Sequence, residues 1–183
     1  MDRWCTNVSQ GSDGLSSYVR HVTFEHIASW NDPVAPGRVL KNLGSLTSLR
    51  VSESVIPNEL PAQISRGEFG KEITILHIFW PRCTLAPIVS MILSLPNLKT
   101  LCIMGYVIDS GGPLPTHPVA LQKEPLDFLT MCGDMCGLGE ALVRSRLTSR
   151  RLSLEVCSPS VKQLIMRSSE TVVELRLDGV WFS

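Results

Sequence analysis

The sequence predicts an α/β fold: a solenoid with a parallel sheet of about six to seven short strands, and helices or loops on the opposite face. Three observations predict it. An apolar–x–apolar pair recurs at Val22-Thr23-Phe24, Leu49-Arg50-Val51, Leu76-His77-Ile78, Leu101-Cys102-Ile103, Leu126-Asp127-Phe128, Leu154-Glu155-Val156 and Leu175-Arg176-Leu177, with first members 27, 27, 25, 25, 28 and 21 residues apart. Three residues before the pair, Val19, Leu46, Ile73, Leu98 and Val172 supply a further apolar group, whereas Lys123 and Arg151 do not. Between the pairs, the apolar period changes from that of a strand to that of a helix.

Taken in order, each element has its own signal. Val39, Leu40 and Leu43 mark a first short helix. Leu85, Ile88, Val89, Ile92 and Leu93 fall at i, i+3, i+4, i+7 and i+8, one apolar stripe that should press Ile88 and Ile92 onto the sheet. Leu138, Ala141 and Leu142 mark another helix, and Val161, Leu164 and Ile165 a further one, entered through Ser158 as N-cap and Pro159 at the first helical position. The intervals 52–71 and 104–125 lack such a stripe. The second holds Gly105, Gly111, Gly112, Pro113, Pro115, Pro118 and Pro125, which predicts a crossing loop.

The strand spacing lies in the range of roughly 20–29 residues expected of leucine-rich repeats. No unit of this kind buries its own apolar face, so each depends on its neighbours. The repeat is irregular: the Asn common after the strand is replaced by Ile27, Ser54, Pro81, Tyr106, Met131, Pro159 and Val180. An ordinary α/β domain with evenly spaced strands is the competing architecture. The expected organisation is a polar N-terminal segment, 1–16, followed by a single irregular leucine-rich-repeat-like domain over 17–183. The last pair is followed only by Asp178 to Ser183, so the domain is expected to be incomplete at its C-terminus.

Composition narrows the function classes. Lys plus Arg and Asp plus Glu both number 17, so a chain of zero formal charge has no long-range field for nucleic acid or an anionic membrane. The basic run Arg144, Arg146, Arg150 and Arg151 reads as a solvated helix end. The start of the chain lacks the apolar run of a signal peptide, and Leu85–Leu95 is too short to span a bilayer. Six scattered cysteines form no compact disulfide framework, which places the chain in the cytoplasm or nucleus with its thiols reduced.

Catalytic and metal-binding patterns are missing. Cys132 and Cys136 have no second Cys or His pair to complete a zinc site. His21 and His26 are not at helical zinc spacing, and His77 sits at an outward strand position. No nucleophile elbow, phosphate-binding loop or zincin helix occurs. No cofactor, metal or catalytic residue is therefore expected, and the chain is read as a non-enzyme.

Ser17-Tyr18-Val19-Arg20-His21-Val22-Thr23-Phe24, Leu46-Thr47-Ser48-Leu49-Arg50-Val51 and Leu95-Pro96-Asn97-Leu98-Lys99-Thr100-Leu101-Cys102-Ile103 resemble segments of the F-box and leucine-rich-repeat-like proteins of mushroom-forming fungi. The resemblance runs from about Ser17 to the end and concerns the repeat region only. It implies a substrate-selecting repeat surface, tied to a cullin-ligase adaptor where an F-box precedes it. No Leu-Pro-x-Glu helix opening precedes Ser17, so an adaptor is expected as a partner only if an F-box lies upstream.

The expected activity is protein binding, with a structural or vestigial fragment as the alternative. Side chains alternate along a half-buried strand, so positions between and beside the apolar pair face outward. On the strands as assigned above, the column after the pair runs Glu25, Ser52, Phe79, Met104, Leu129, Cys157 and Asp178, and the middle column runs Thr23, Arg50, His77, Cys102, Asp127, Glu155 and Arg176. Phe79, Met104 and Leu129 form an apolar strip that Ile75 extends, and His77, Asp127 and Glu155 lie beside it. These seven residues are the expected partner-binding set, unless the 104–125 segment folds over them.

Overall fold

The computed structural model describes residues 16–81, 84–105, 124–133, 137–155 and 159–178. Seven strands form one parallel sheet in chain order: β1 His21–Glu25, β2 Ser48–Ser52, β3 Ile75–Phe79, β4 Thr100–Met104, β5 Phe128–Cys132, β6 Arg151–Glu155 and β7 Glu174–Leu177. The sheet is open, with β1 and β7 at its edges. Among the described residues the helices are α1 Ala35–Lys41, α2 Glu59–Ser65, α3 Leu85–Ser94, α4 Leu138–Arg144 and α5 Pro159–Ser168. Neighbouring helices pack against one another in chain order.

The inward pairs of β2–β6 and the apolar stripes of the helices share one core, with Val22 and Phe24 of β1 packed against it. Leu76, Ile78, Leu101 and Ile103 are fully buried, as are Leu49 on β2 and Leu129 on β5. Ile88 and Ile92 of α3 join them, as their spacing predicts. Pro87 falls in the first turn of α3, where its missing N–H has no partner to lose. Helix α2 departs from the sequence reading, which left 52–71 without a helix. Its whole apolar signal is Leu60 and Ile64, one i, i+4 pair around Pro61, and a stripe of two residues carries little periodicity. Most of the Pro-rich 104–125 interval, the Ser158 cap and Cys136 lie outside the described residues.

Two strands sit in a different frame from the one the sequence suggested. Leu129 and Met131 pair with Leu101 and Ile103, so β5 begins at Phe128, not at Leu126. Leu152 and Leu154 continue that register into β6, and Leu175 and Leu177 into β7. The shift of three at β5 reverses its faces, whereas the shift of two at β6 preserves them. Leu126 thereby takes the buried position three before the pair, and Ser149 takes the same place before β6. The Ser149 hydroxyl meets the carbonyls of Leu126 and Arg151, so its burial leaves no polar group unmade.

The strand entrances and exits repeat the same bonding. At the entrances, one carbonyl accepts two N–H groups from the next unit, as Arg20 does from Thr47 and Ser48. Thr47, Thr74, Lys99 and Arg150 do likewise. At the exits, the residue after the strand takes a left-handed conformation: His26, Glu53, Trp80, Gly105 and Gly133 have φ of 55°, 47°, 48°, 118° and 101°. Each of their N–H groups donates to the carbonyl ending the next strand, at 2.7–3.2 Å. Ser54, where the sequence reading looked for the Asn of a leucine-rich repeat, is fully buried. Its hydroxyl accepts from the Ile27 N–H at 3.0 Å and donates to the Ser52 carbonyl at 2.7 Å, meeting backbone demands at the turn.

Candidate functional site

The outward face of the sheet is a grid of three columns set by strand register. The column before the apolar pair runs His21, Ser48, Ile75, Thr100, Phe128, Arg151 and Glu174. The middle column runs Thr23, Arg50, His77, Cys102, Thr130, Ser153 and Arg176. The column after the pair runs Glu25, Ser52, Phe79, Met104, Cys132 and Glu155, with Asp178 just beyond β7. Its centre, from β3 to β5, is half-buried throughout, with Ile75, His77 and Phe79 beside Thr100, Cys102 and Met104, then Phe128, Thr130 and Cys132. No full charge stands in that block.

Of the predicted set, Ile75, His77, Phe79 and Met104 lie together on this face. Leu129 does not: it is fully buried beneath the sheet, because the inward pair of β5 is Leu129-x-Met131, three residues later than Leu126-x-Phe128, and the face is reversed. Its place in the strip is taken by Cys132. Asp127 is also moved, to the residue before β5, where its carboxylate lies 3.7 Å from Arg150. Glu155 faces outward as expected, but in the column after the pair, beside Cys132. The sequence reading missed Phe128 and Cys132, whose signals were the Leu129-x-Met131 alternation that competes with Leu126-x-Phe128 and the apolar Leu126 three residues before it. The basic run is solvated as expected, yet three members are engaged, Arg144 with Glu140 at 2.6 Å, Arg150 with Asp127 at 3.7 Å, and Arg151, at the start of β6, with the Asp127 carbonyl at 3.3 Å.

Charged groups cover the apolar centre from its sides. The Arg50 guanidinium lies 4.6 Å from the centroid of the Phe79 ring, and the His77 ring is tilted against Phe79 at 5.7 Å. Arg151 lies 5.6 Å from the Phe128 ring centroid. These cation–π contacts are worth roughly 0.5–1 kcal/mol each at exposed sites, weak enough for an incoming side chain to displace them. Burial and the neighbouring Arg50 charge both lower the pKa of His77, favouring neutral imidazole. Burial raises the Cys102 thiol, and Arg50 pulls it partly back.

No family model, curated protein or solved structure matches this chain. Chemistry on the face is therefore judged from its own geometry. The Cys132 thiol donates to a Glu155 carboxylate oxygen at 2.9 Å. That bond, then burial, then the charges of Glu155 and Cys102, push its pKa up to about 11, which leaves the sulfur protonated and a poor nucleophile at neutral pH. Among the described residues no three His, Cys, Asp or Glu side chains converge as metal ligands. No helix among them is long and apolar enough to cross a membrane.

Proposed function

We propose that the chain is a leucine-rich-repeat-like solenoid that acts as a non-enzymatic protein-binding module through the outward face of its sheet. The observation that carries the reading is the uncharged block on β3–β5, where Ile75, Phe79, Met104 and Phe128 stand half-buried among charged neighbours. An apolar centre with a polar rim is the usual anatomy of a binding patch. In the setting of an F-box-type ubiquitin ligase, the same face would select the substrate. Its cellular setting in this reading is the cytoplasm or nucleus, where Cys102 and Cys132 stay as the free thiols of the structure.

The test is affinity capture with the full chain and with a Phe79→Ala/Met104→Ala double variant, after matching their thermal stabilities. A partner held by the parent chain and released by the variant supports the reading. Identical recoveries with both chains, or recovery with neither, would overturn it.

A further inference from the structure

Charge on this face is segregated along the exits of the strands. The column after the apolar pair has Glu25 at one end and Glu155 at the other, with Ser52, Phe79, Met104 and Cys132 between them and no base in the row. Glu53 follows directly after Ser52, and its carboxylate accepts from His26 at 3.1 Å, a ring that also stands 3.9 Å from Glu25. One flank thus holds two carboxylates around an imidazole. On the other flank Glu155 meets only a neutral thiol among its described partners. Asp178 beyond it is already engaged with Arg176 at 2.7 Å. Trp80, 52% exposed, stands in the turn beyond Phe79 and adds apolar surface at the same edge.

We propose that this row accommodates an extended peptide segment running across the strands, with two apolar side chains at its centre and a lysine or arginine at each end. The proposal rests on the reading of this face as partner-binding and adds the chemistry of the partner. Spacing sets the pattern. Strands lie about 4.8 Å apart, so the four steps from the Glu53 unit to Glu155 span about 19 Å. An extended chain rises about 3.3 Å per residue, so residues i and i+6 cover that distance and point to the same side. Residues i+2 and i+4 on that side then fall over the Phe79, Met104 and Cys132 stretch. The high pKa of Cys132 keeps its thiol uncharged at neutral pH, so the acidic charge of the row sits at its two flanks, while the Arg50 guanidinium over Phe79 disfavours a basic side chain at the centre. A segment with acidic ends would meet like charge at both flanks, which is how such rims reject wrong partners.

The test uses labelled heptapeptides and the full chain in fluorescence anisotropy. One peptide carries lysine at both ends and leucine at the third and fifth residues; a second replaces both lysines with glutamate; a third places the lysines only four residues apart. The first should bind about tenfold more tightly than either other peptide. Its advantage should fade as salt rises from about 50 mM to about 500 mM. Glu155→Gln and a Glu25→Gln/Glu53→Gln double variant should each remove part of that advantage, because glutamine keeps the shape and loses the charge. Equal binding of all three peptides, lost in Phe79→Ala/Met104→Ala, would overturn the charge pattern while leaving the binding face in place. Binding of the lysine peptide that is unchanged in Phe79→Ala/Met104→Ala would overturn the placement, and no binding by any peptide would overturn the proposal outright.

Discussion

Strands β4 and β7 carry the same local pattern and meet different fates. Leu101 and Ile103 of β4 are fully buried, whereas Leu175 and Leu177 of β7 remain 42% and 41% exposed. Their sequences, Leu101-Cys102-Ile103 and Leu175-Arg176-Leu177, give no reason for the difference. The reason is neighbours: among the described residues β4 pairs on both edges and β7 on one. The other edge strand lies between these limits. Phe24 of β1 packs edge-on against Trp30 at 5.3 Å, and the Trp30 indole N–H donates to the Val55 carbonyl at 2.9 Å, so an aromatic from the following turn covers part of that end. The burial of each strand's inward pair thus depends on the strands beside it.

The largest expected difference between centre and edge is in stability. Leu101→Ala should cost about 2–5 kcal/mol, because a fully buried leucine leaves a cavity in a core that relaxes only in part. Leu175→Ala should cost about 1 kcal/mol or less, since much of that side chain already meets solvent. Chemical denaturation of both variants measures the difference. Equal losses would mean that β7 is covered in solution, and the contrast between centre and edge would be void.

Where the sequence signals agree, they were enough to place the strands of the parallel sheet. Leu76-x-Ile78 and Leu101-x-Ile103 satisfy the alternation, the spacing and the apolar residue three before, and all three signals choose one frame. At β5 they conflict. Leu126-x-Phe128 and Leu129-x-Met131 both alternate; the apolar residue three before, Leu126 against Lys123, favours the second, and the hydrogen-bonded register with β4 selects it. That single choice decided whether Leu129 or Cys132 belonged to the outward strip. The left-handed exit column was harder still, because His26, Glu53, Trp80, Gly105 and Gly133 share a backbone conformation and no side-chain chemistry. Gly105 and Gly133, each directly after a strand, were the visible part of it.

That column gives a second, smaller contrast. At the first three exits a side chain tolerates positive φ, but Gly133 has no room for one. A Cβ there would sit 2.2 Å from the Gly105 carbonyl oxygen, and backbone cannot rotate away as a side chain can. Gly133→Ala should therefore destabilise the fold by about 1–3 kcal/mol, from strain at φ 101° and from the displaced carbonyl together. Gly44, with nothing within 4 Å of its would-be Cβ, should accept alanine within about 0.5 kcal/mol. Thermal melts of the two variants distinguish a tight exit from an open turn, and a Gly133→Ala melt matching that of Gly44→Ala would show that the exits slide apart easily.

The smallest effect concerns a neighbour on the outward face, and it changes reactivity with no demand on stability. Cys102 and Cys132 are both half-buried thiols, yet among the described residues only Cys132 has a carboxylate as acceptor. Its folded pKa is raised, so the stability linked to the neutral thiol is fully present below the ordinary thiol range and is lost as pH climbs through about 11. At mildly alkaline pH, alkylation of Cys132 should consequently be slow. Glu155→Gln keeps an oxygen to accept the S–H and removes the negative charge, so the pKa should fall back toward that of an ordinary thiol. Thiolate is the reacting form, and its gain outweighs the lower nucleophilicity of a less basic sulfur, for a net acceleration of about tenfold. Labelling with iodoacetamide, read by peptide mass mapping at Cys132 and Cys102 separately, checks this. Cys102 should serve as the internal reference with an unchanged rate. Equal acceleration at both thiols would indicate a general loosening of the sheet, and no change at Cys132 would show that Glu155 does not hold its proton.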